Sequence, residues 1–150
     1  MAKAKPLKIL IVEDEPLLVM DVEMMVEDSG HQVIGDAASL GEVEALTLAS
    51  EPDLVFVDMQ LAKGSNGLDV SALVQRRWPE AFIVYVTANP RMIPEDFAGG
   101  HGVIAKPFSR TGFLAAMRYL EEGIIAPPPS IARPVDFVGA RALDAWQVAT

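Results

Sequence analysis

Five short apolar runs alternate with helix-like stretches over the first 105 residues, and this alternation limits the fold more than any other feature of the chain. The runs are residues 7–12, broken only by Lys8, then 32–34, 54–57, 82–86 and 102–105. A strand that is apolar without alternation is buried on both faces, which calls for a parallel sheet between two layers of helices. Right-handed crossovers then give an α/β protein with an open, doubly wound, five-stranded parallel sheet.

The connecting stretches carry their own punctuation. Pro16 sits where a first helical turn begins, Leu18, Val22 and Met25 recur at helical spacing, and Gly30 stops that helix. Ser39 and Glu42 form a capping-box pattern that opens a helix with Val43 and Leu46 on one face, ending before Pro52. Residues 64–67 read as a loop, and the helix after them carries Leu68 and Leu73 and stops at Trp78 and Pro79. Ser109 caps a last helix bearing Phe113, Leu114, Met117 and Leu120, closed by Gly123. Between the fourth and fifth strands, Pro90, Pro94, Gly99, Gly100 and Gly102 leave room for about one helical turn, near residues 94–98.

After residue 122 the texture changes, with Pro127, Pro128, Pro129 and Pro134 close together. The chain therefore divides into a domain at 5–122 and a Pro-rich tail at 123–150. Residues 139–148 suit a short helix with Leu143 and Trp146 on one side. Such a helix is too short to be stable alone: it either docks on this domain or on a partner or is disordered, and its apolar residues favour docking.

At 150 residues and 51% hydrophobic content the chain has ample material for one packed core. The absence of cysteine excludes disulfides, thiolate metal sites and cysteine nucleophiles. The N-terminal apolar run stops at Glu13, too short to span a membrane, and no cleavage site follows, so a cytoplasmic protein is expected with no membrane partner. The net charge of −9 is uneven: 13 of the 21 acids lie between residues 13 and 58, and no Lys or Arg occurs between Lys8 and Lys63. Such an acidic half repels phosphate backbones, which argues against nucleic-acid binding.

Some of these acids stand at strand ends. The first strand hands over to Glu13 and Asp14, the third ends at Asp58, the fourth at Thr87 and the fifth at Lys106. Ligands of open α/β sheets bind outside the carboxyl ends of the strands, where the winding reverses. If the first and third strands are neighbours there, three carboxylates converge and need a cation. Lys106 and one divalent ion balance their charge, and all-oxygen ligands favour Mg²⁺ or Mn²⁺. A hydroxyl and an ammonium beside a metal-bound carboxylate suit a transferred phosphoryl group, with Asp58 as the nucleophile. His31 and His101 have no ligand spacing and read as surface or strand-edge residues. Residues 64–67 are not a phosphate-binding P-loop, because no Lys-Ser/Thr pair follows.

The stretches at residues 9–15, 54–58, 86–88 and 106–108 together resemble the receiver domain of bacterial two-component response regulators, including single-domain regulators of the chemotaxis type. The resemblance covers about residues 5–122 and implies a flavodoxin-like sheet of order 2-1-3-4-5, with strand one beside strand three. It implies that Asp58 is the phospho-acceptor. It further implies that Asp14 and Asp58 ligate Mg²⁺, with Gln60 through its carbonyl and Glu13 directly or through water. Thr87 and Ala88 would bind the phosphoryl group, Lys106 would pair with one of its oxygens, and the Lys106–Pro107 bond would be cis. Three departures stand out. Leu61 and Ala62 replace a common Met-Pro pair, Gly67 falls one residue late after Asp58, and Val103 stands where an aromatic switch residue is usual. The switch region is accordingly placed at Asn89, Val103 and Pro107.

The expected function is that of a single-domain response regulator, not an enzyme on a separate substrate. It would take a phosphoryl group from a sensor histidine kinase or a histidine phosphotransfer protein and signal to an unidentified downstream protein, or act as a phosphate sink. A homodimer is compatible with this reading. The alternative is a receiver-like interaction module that is not phosphorylated, against which the full Glu-Asp-Asp-Thr-Lys set argues. An aspartyl-phosphate phosphatase would want an acid where Gln60 stands. A flavin protein would want a Ser/Thr/Gly loop where Glu13, Asp14 and Glu15 stand.

Overall fold

The five apolar runs become five parallel strands whose successive side chains fill two different cores. A computed structural model describes residues 6–147; Lys5, at the start of the expected domain, and Val148, at the end of the expected tail helix, lie outside them. In chain order the elements are β1 (Lys8–Val12), α1 (Pro16–Asp28), β2 (Gln32–Ala37), α2 (Leu40–Ala45), β3 (Leu54–Asp58), α3 (Gly67–Arg77), β4 (Phe82–Thr87), β5 (Gly102–Ala105), α4 (Arg110–Ile125) and β6 (Phe137–Gly139). The sheet order is β2-β1-β3-β4-β5-β6. The first five strands are parallel, as expected, and β1 lies between β2 and β3. The sixth strand was not anticipated; it runs antiparallel to β5.

The two-sided burial follows the pleat. Ile9, Ile11, Leu54, Phe56, Val84, Val86 and Ile104 face α1 and α4, where they pack with Val22, Met25, Val26, Phe113, Met117 and Leu120. Leu10, Val12, Val55, Val57, Ile83, Tyr85 and Val103 face α2 and α3, where they meet Val43, Val70, Val74 and Trp78. With both faces covered, no position along β3 could alternate to a polar residue before Asp58, and all five of its residues are buried.

The helix ends show why these segments stop where they do. The side chains of Ser39, Asn66 and Ser109 each accept a backbone N–H of the first turn of α2, α3 and α4. Glu42 bonds back to the Ala38 amide at 3.0 Å. The second helix is shorter than expected, because Leu46 is extended and falls outside it. Its last carbonyls are taken by Arg77, which donates to Val43 and Leu46 while its guanidinium stacks 4.6 Å over Trp78. The last helix is not closed at Gly123 but continues to Ile125, and Gly123 lies under the Trp146 ring.

The connection from β4 to β5 holds only two single 3-10 turns, Pro90–Met92 and Phe97–Gly99. This is the degenerate helix that its prolines and glycines predict. Phe97 and Ala98 are left-handed, at φ of 56° and 47°, a conformation costly for side-chain-bearing residues. They are held there by the Tyr85 hydroxyl, which donates to the Phe97 carbonyl at 2.9 Å. The Gln75 amide likewise donates to the Ala98 carbonyl at 2.8 Å.

The C-terminal segment packs on the domain. Gly139 belongs to β6, and the expected tail helix is a 3-10 helix at Arg141–Trp146 with Leu143 and Trp146 both buried. His31 differs from expectation. It is buried, and its Nδ1 accepts the Leu7 amide at 2.9 Å while Nε2 stands 3.2 Å from Glu121. His101 Nδ1 accepts the Ile83 amide at 3.0 Å. Each ring thus fills a backbone donor at the start of a strand, a use that spacing in sequence does not reveal.

Burial lowers the pKa of His31 and outweighs the opposing pull of Glu121; burial alone lowers that of His101. A protonated imidazole also cannot accept the Leu7 amide. The stability that neutral His31 contributes is complete above its unfolded pKa of about 6.5 and is lost as pH falls below it. The stability gap between wild type and His31→Gln, measured by urea unfolding, is therefore expected to shrink as pH is lowered from 7.5 to 5.

Candidate functional site

The carboxyl ends of β1, β3 and β4, with the connection out of β5, surround one cleft of about 260 Å³. Its lining includes Asp14, Asp58, Gln60, Thr87, Asn89 and Lys106. Among the described residues, Glu13, Asp14 and Asp58 form the single carboxylate cluster with metal-ligand spacing: one oxygen from each lies within 4.8 Å of the others. Glu13 and Asp58 are buried and Asp14 is exposed. This convergence is the one that the neighbouring of β1 and β3 requires.

Lys106 supplies the fixed cation. Its Nζ donates to Glu13 Oε1 at 2.8 Å and to Asp58 Oδ2 at 3.2 Å. The second oxygen of Glu13 accepts the amides of Asp14 and Glu15, at 3.0 and 3.2 Å. Asp58 Oδ1 accepts the Gln60 amide at 3.3 Å. Burial raises the Glu13 pKa to about 7; Lys106 opposes the shift, and Asp58 reinforces it as a hydrogen-bond partner and a like charge. For Lys106, burial works to lower the pKa, but the two carboxylates outweigh it and the net shift is upward. Lys106 thus sets one positive charge against three carboxylates.

The backbone around Asp58 is held from below. Gly67 packs on the Asp58 carbonyl so closely that a Cβ would collide with it, and its amide bonds to Met59 at 2.9 Å. The late glycine is therefore placed by a loop one residue longer, which closes through a bridge between Gln60 and Asn66. Thr87 is buried, and its Oγ1 accepts the Asn89 amide at 3.0 Å. The Lys106 amide bonds to the Thr87 carbonyl at 2.8 Å, and the Lys106–Pro107 bond is cis.

Glu13, Asp14, Asp58 and Lys106 come together, with Gln60, Thr87, Ala88 and Asn89 along the same cleft. Pro107 lines a neighbouring groove of about 380 Å³ with Leu18, Asp21, Ala88, Lys106 and Phe108. Val103 is away from the cleft, buried on the α3 side opposite Tyr85. Sequence reasoning missed the outer stripe of α1: Leu17, Met20 and Met24 are 81%, 60% and 57% exposed. The signal was present, because that helix carries apolar residues at helical spacing on two faces and the core needs only one.

The acidic residues of α1 flank this stripe, and one of them, Asp28, is paired with Arg110 at 2.6 Å. Among the described residues, no helix is long and apolar enough to cross a membrane.

The sequence matches, over residues 9–118, the family described as the response regulator receiver domain. It is 43% identical over 114 residues to the phyllosphere-induced regulator PhyR of Methylorubrum extorquens, covering 73% of this chain and 42% of that protein. It is 28% identical over 116 residues to the transcriptional regulatory protein PdtaR of Mycobacterium tuberculosis, covering 76% of this chain and 56% of that protein. The chain thus spans about half the length of these curated relatives. The solution structure of the PhyR receiver domain of Erythrobacter litoralis superposes with a TM-score of 0.68 at 28% identity, over 84% of this chain and 97% of that one. The crystal structure of the anti-anti-sigma factor PhyR of Bartonella quintana superposes with a TM-score of 0.59 at 32% identity, over 71% of this chain and 43% of that one.

Removing the lysine tests the electrostatics directly. Lys106→Met leaves the carboxylates without their cation, and the chain is expected to lose about 2 kcal/mol of stability at pH 8. The loss should be smaller at pH 5.5, where Glu13 is protonated and no longer adds to the repulsion. Urea unfolding at the two pH values checks both the size and the direction.

Proposed function

The chain belongs to the response regulator receiver family, and from that premise we propose that it accepts a phosphoryl group on Asp58. The observation that carries this reading is the position of the Asp58 carboxylate: at the end of a central strand, in an open cleft, with Lys106 3.2 Å from one oxygen. A carboxylate oxygen attacks the phosphorus of a phosphohistidine. The P–N bond breaks, the imidazole nitrogen keeps the electron pair and takes a proton, and an acyl phosphate remains on Asp58. Later attack by water on the phosphorus returns inorganic phosphate and the free carboxylate.

Receiver domains generally bind Mg²⁺ at such an acidic pocket, and the donor set here fits: three carboxylates and the Gln60 carbonyl are all hard oxygen ligands. Asp14, Asp58 and Gln60 would hold the ion, with Glu13 bound directly or through water. When bound, it neutralises oxygens of the phosphoryl group in flight. The protein's own groups do the rest. Lys106 is close enough to Asp58 to pair with a phosphoryl oxygen there, and Thr87, at the end of the adjacent strand, offers a hydroxyl in the same cleft. Receiver domains are generally not enzymes acting on a separate substrate, and the chemistry proposed here ends on the protein's own aspartate.

The donor is a histidine kinase or histidine phosphotransfer protein that docks on α1. The exposed Leu17, Met20 and Met24 offer an apolar stripe beside the cleft, framed by Asp21, Glu23 and Glu27. Output by protein contact is in keeping with the Bartonella relative described as an anti-anti-sigma factor. Val103 has no ring to swing, so the phosphoryl signal is expressed by reordering of residues 89–102.

Incubation with acetyl phosphate and Mg²⁺ is expected to add one phosphoryl mass to the intact chain, and Asp58→Asn to abolish the gain. No gain with any donor would favour the unphosphorylated interaction module, and a gain surviving Asp58→Asn would move the acceptor elsewhere. Phosphotransfer from the cognate donor should slow several-fold between 50 and 300 mM salt, as the screening length shortens from about 14 Å to about 6 Å. A stopped-flow series over ionic strength measures this, and a flat profile would count against an acidic docking face.

A further inference from the structure

The last strand edge and the outer face of α4 are covered by the chain's own C-terminal segment. Beyond Ile125 the chain turns back and runs antiparallel along α4. Ser130 donates its amide to Glu122 at 2.7 Å. Arg133 donates to the Tyr119 hydroxyl at 3.1 Å, and its guanidinium lies 5.6 Å over that ring. Asp136 reaches the first turn of the helix. The chain then descends beside β5 as β6, and Phe137, Leu143 and Trp146 enter the core shared by α1 and α4.

The groove is cut to this occupant. A Cβ on Gly102 of β5 would collide with the Phe137 ring. A Cβ on Gly112 of α4 would fall on the Asp136 carboxylate, and one on Gly123 on the Trp146 ring. Glycine inside a helix or strand is destabilising relative to alanine. Three glycines that each admit a different side chain of one segment therefore mark a site shaped for that segment.

The same segment grips the chain on both sides of Lys106. Phe137 is the register partner of Ile104, two residues before the lysine. Asp136 lies against Gly112, in the turn whose cap is Ser109, three residues after it. The third restraint is the Lys106 amide bonded to Thr87 at 2.8 Å. From this connection Nζ spans Glu13 and Asp58 at 2.8 and 3.2 Å. Ion pairs of this kind depend on placement to within about 0.5 Å, which surrounding packing must supply.

We propose that residues 130–146 are a strap that positions Lys106, so that docking of the strap and occupation of Asp58 by a phosphoryl group stabilise each other. The second half rests on the reading of Asp58 as acceptor; the first does not. Phe137, Asp136 and Trp146 are positioning residues, since none touches the cleft. Linkage makes the coupling reciprocal: whatever factor the strap adds to the affinity of the site, an occupied site adds to the docking of the strap.

The test uses the full chain and Gly123→Ala. Alanine suits the helix interior better than glycine, so α4 is kept while Trp146 is displaced. Beryllofluoride with Mg²⁺ serves as the phosphoryl mimic, and its affinity is expected to fall about fivefold in the variant. In wild type, the mimic should slow amide exchange in Phe137–Gly139 by the same factor. Val43→Ala, on the opposite face of the sheet, is the control for general loss of stability. Unchanged affinity in a chain whose Trp146 fluorescence shows it undocked would overturn the proposal, as would an equal fall in Val43→Ala. If Trp146 stays docked in Gly123→Ala, Phe137→Ala supplies the undocked chain. A wild type that binds no beryllofluoride refutes the acceptor reading, and the strap is then judged on the ligand-free protein. There the exchange-protected ¹⁵N signal of the Lys106 ammonium should be present in wild type and lost in the variant; its persistence would overturn the strap.

Discussion

The pairing of Lys106 with Glu13 and Asp58 is the interaction around which the rest of this molecule is arranged. Three carboxylates meet at the carboxyl ends of adjacent strands, and one ammonium at 2.8 and 3.2 Å does not balance them. Burial raises the Glu13 pKa to about 7, and the neighbouring Asp58 carboxylate adds to the shift. Like charges clustered in this way cost stability unless they are compensated. The parallel sheet makes the cluster unavoidable: β1 and β3 lie side by side, so residues that follow one strand and end the other must meet.

Each element near the cleft can be understood by what it restrains. Gly67 permits the loop after β3 to fold under Asp58, and a side chain there would push the strand end away. Thr87 is fixed through Asn89, and the Lys106 connection through the Thr87 carbonyl. The β4–β5 connection is different in kind. It has no α-helix, and its two left-handed residues are held by Tyr85 and Gln75. Strained backbone of this sort persists only where neighbours hold it.

The C-terminal segment changes what counts as the domain. Phe137, Leu143 and Trp146 are in the same core as β1 and α1, and two glycines within α4, costing about 1 kcal/mol each relative to alanine, make room for it. An exposed outer edge on β5 would also be a template for pairing with other chains; a three-residue β6 preceded by Pro134 closes it without leaving a long new edge.

The five parallel strands and the acid cluster are written in the amino-acid sequence, which needs no partner to specify them. Uninterrupted apolar runs admit burial on both faces only, and polar residues at the ends of such runs have nowhere to go but the sheet's carboxyl edge. The sequence also specifies the loss of a helix between β4 and β5, because proline and glycine act locally. The sixth strand, the continuation of α4 past Gly123, and the contacts of His31 and His101 with backbone amides came from long-range packing. Each of these depends on a partner far along the chain: Trp146 for Gly123, Ile104 for Phe137, Leu7 for His31. A proline-rich stretch reads as a linker until the surface it lies on is known. The second apolar face of α1 was legible in the residues, but which of its two faces meets the core was settled by α4 packing on Val22 and Met25, leaving Leu17, Met20 and Met24 in solvent.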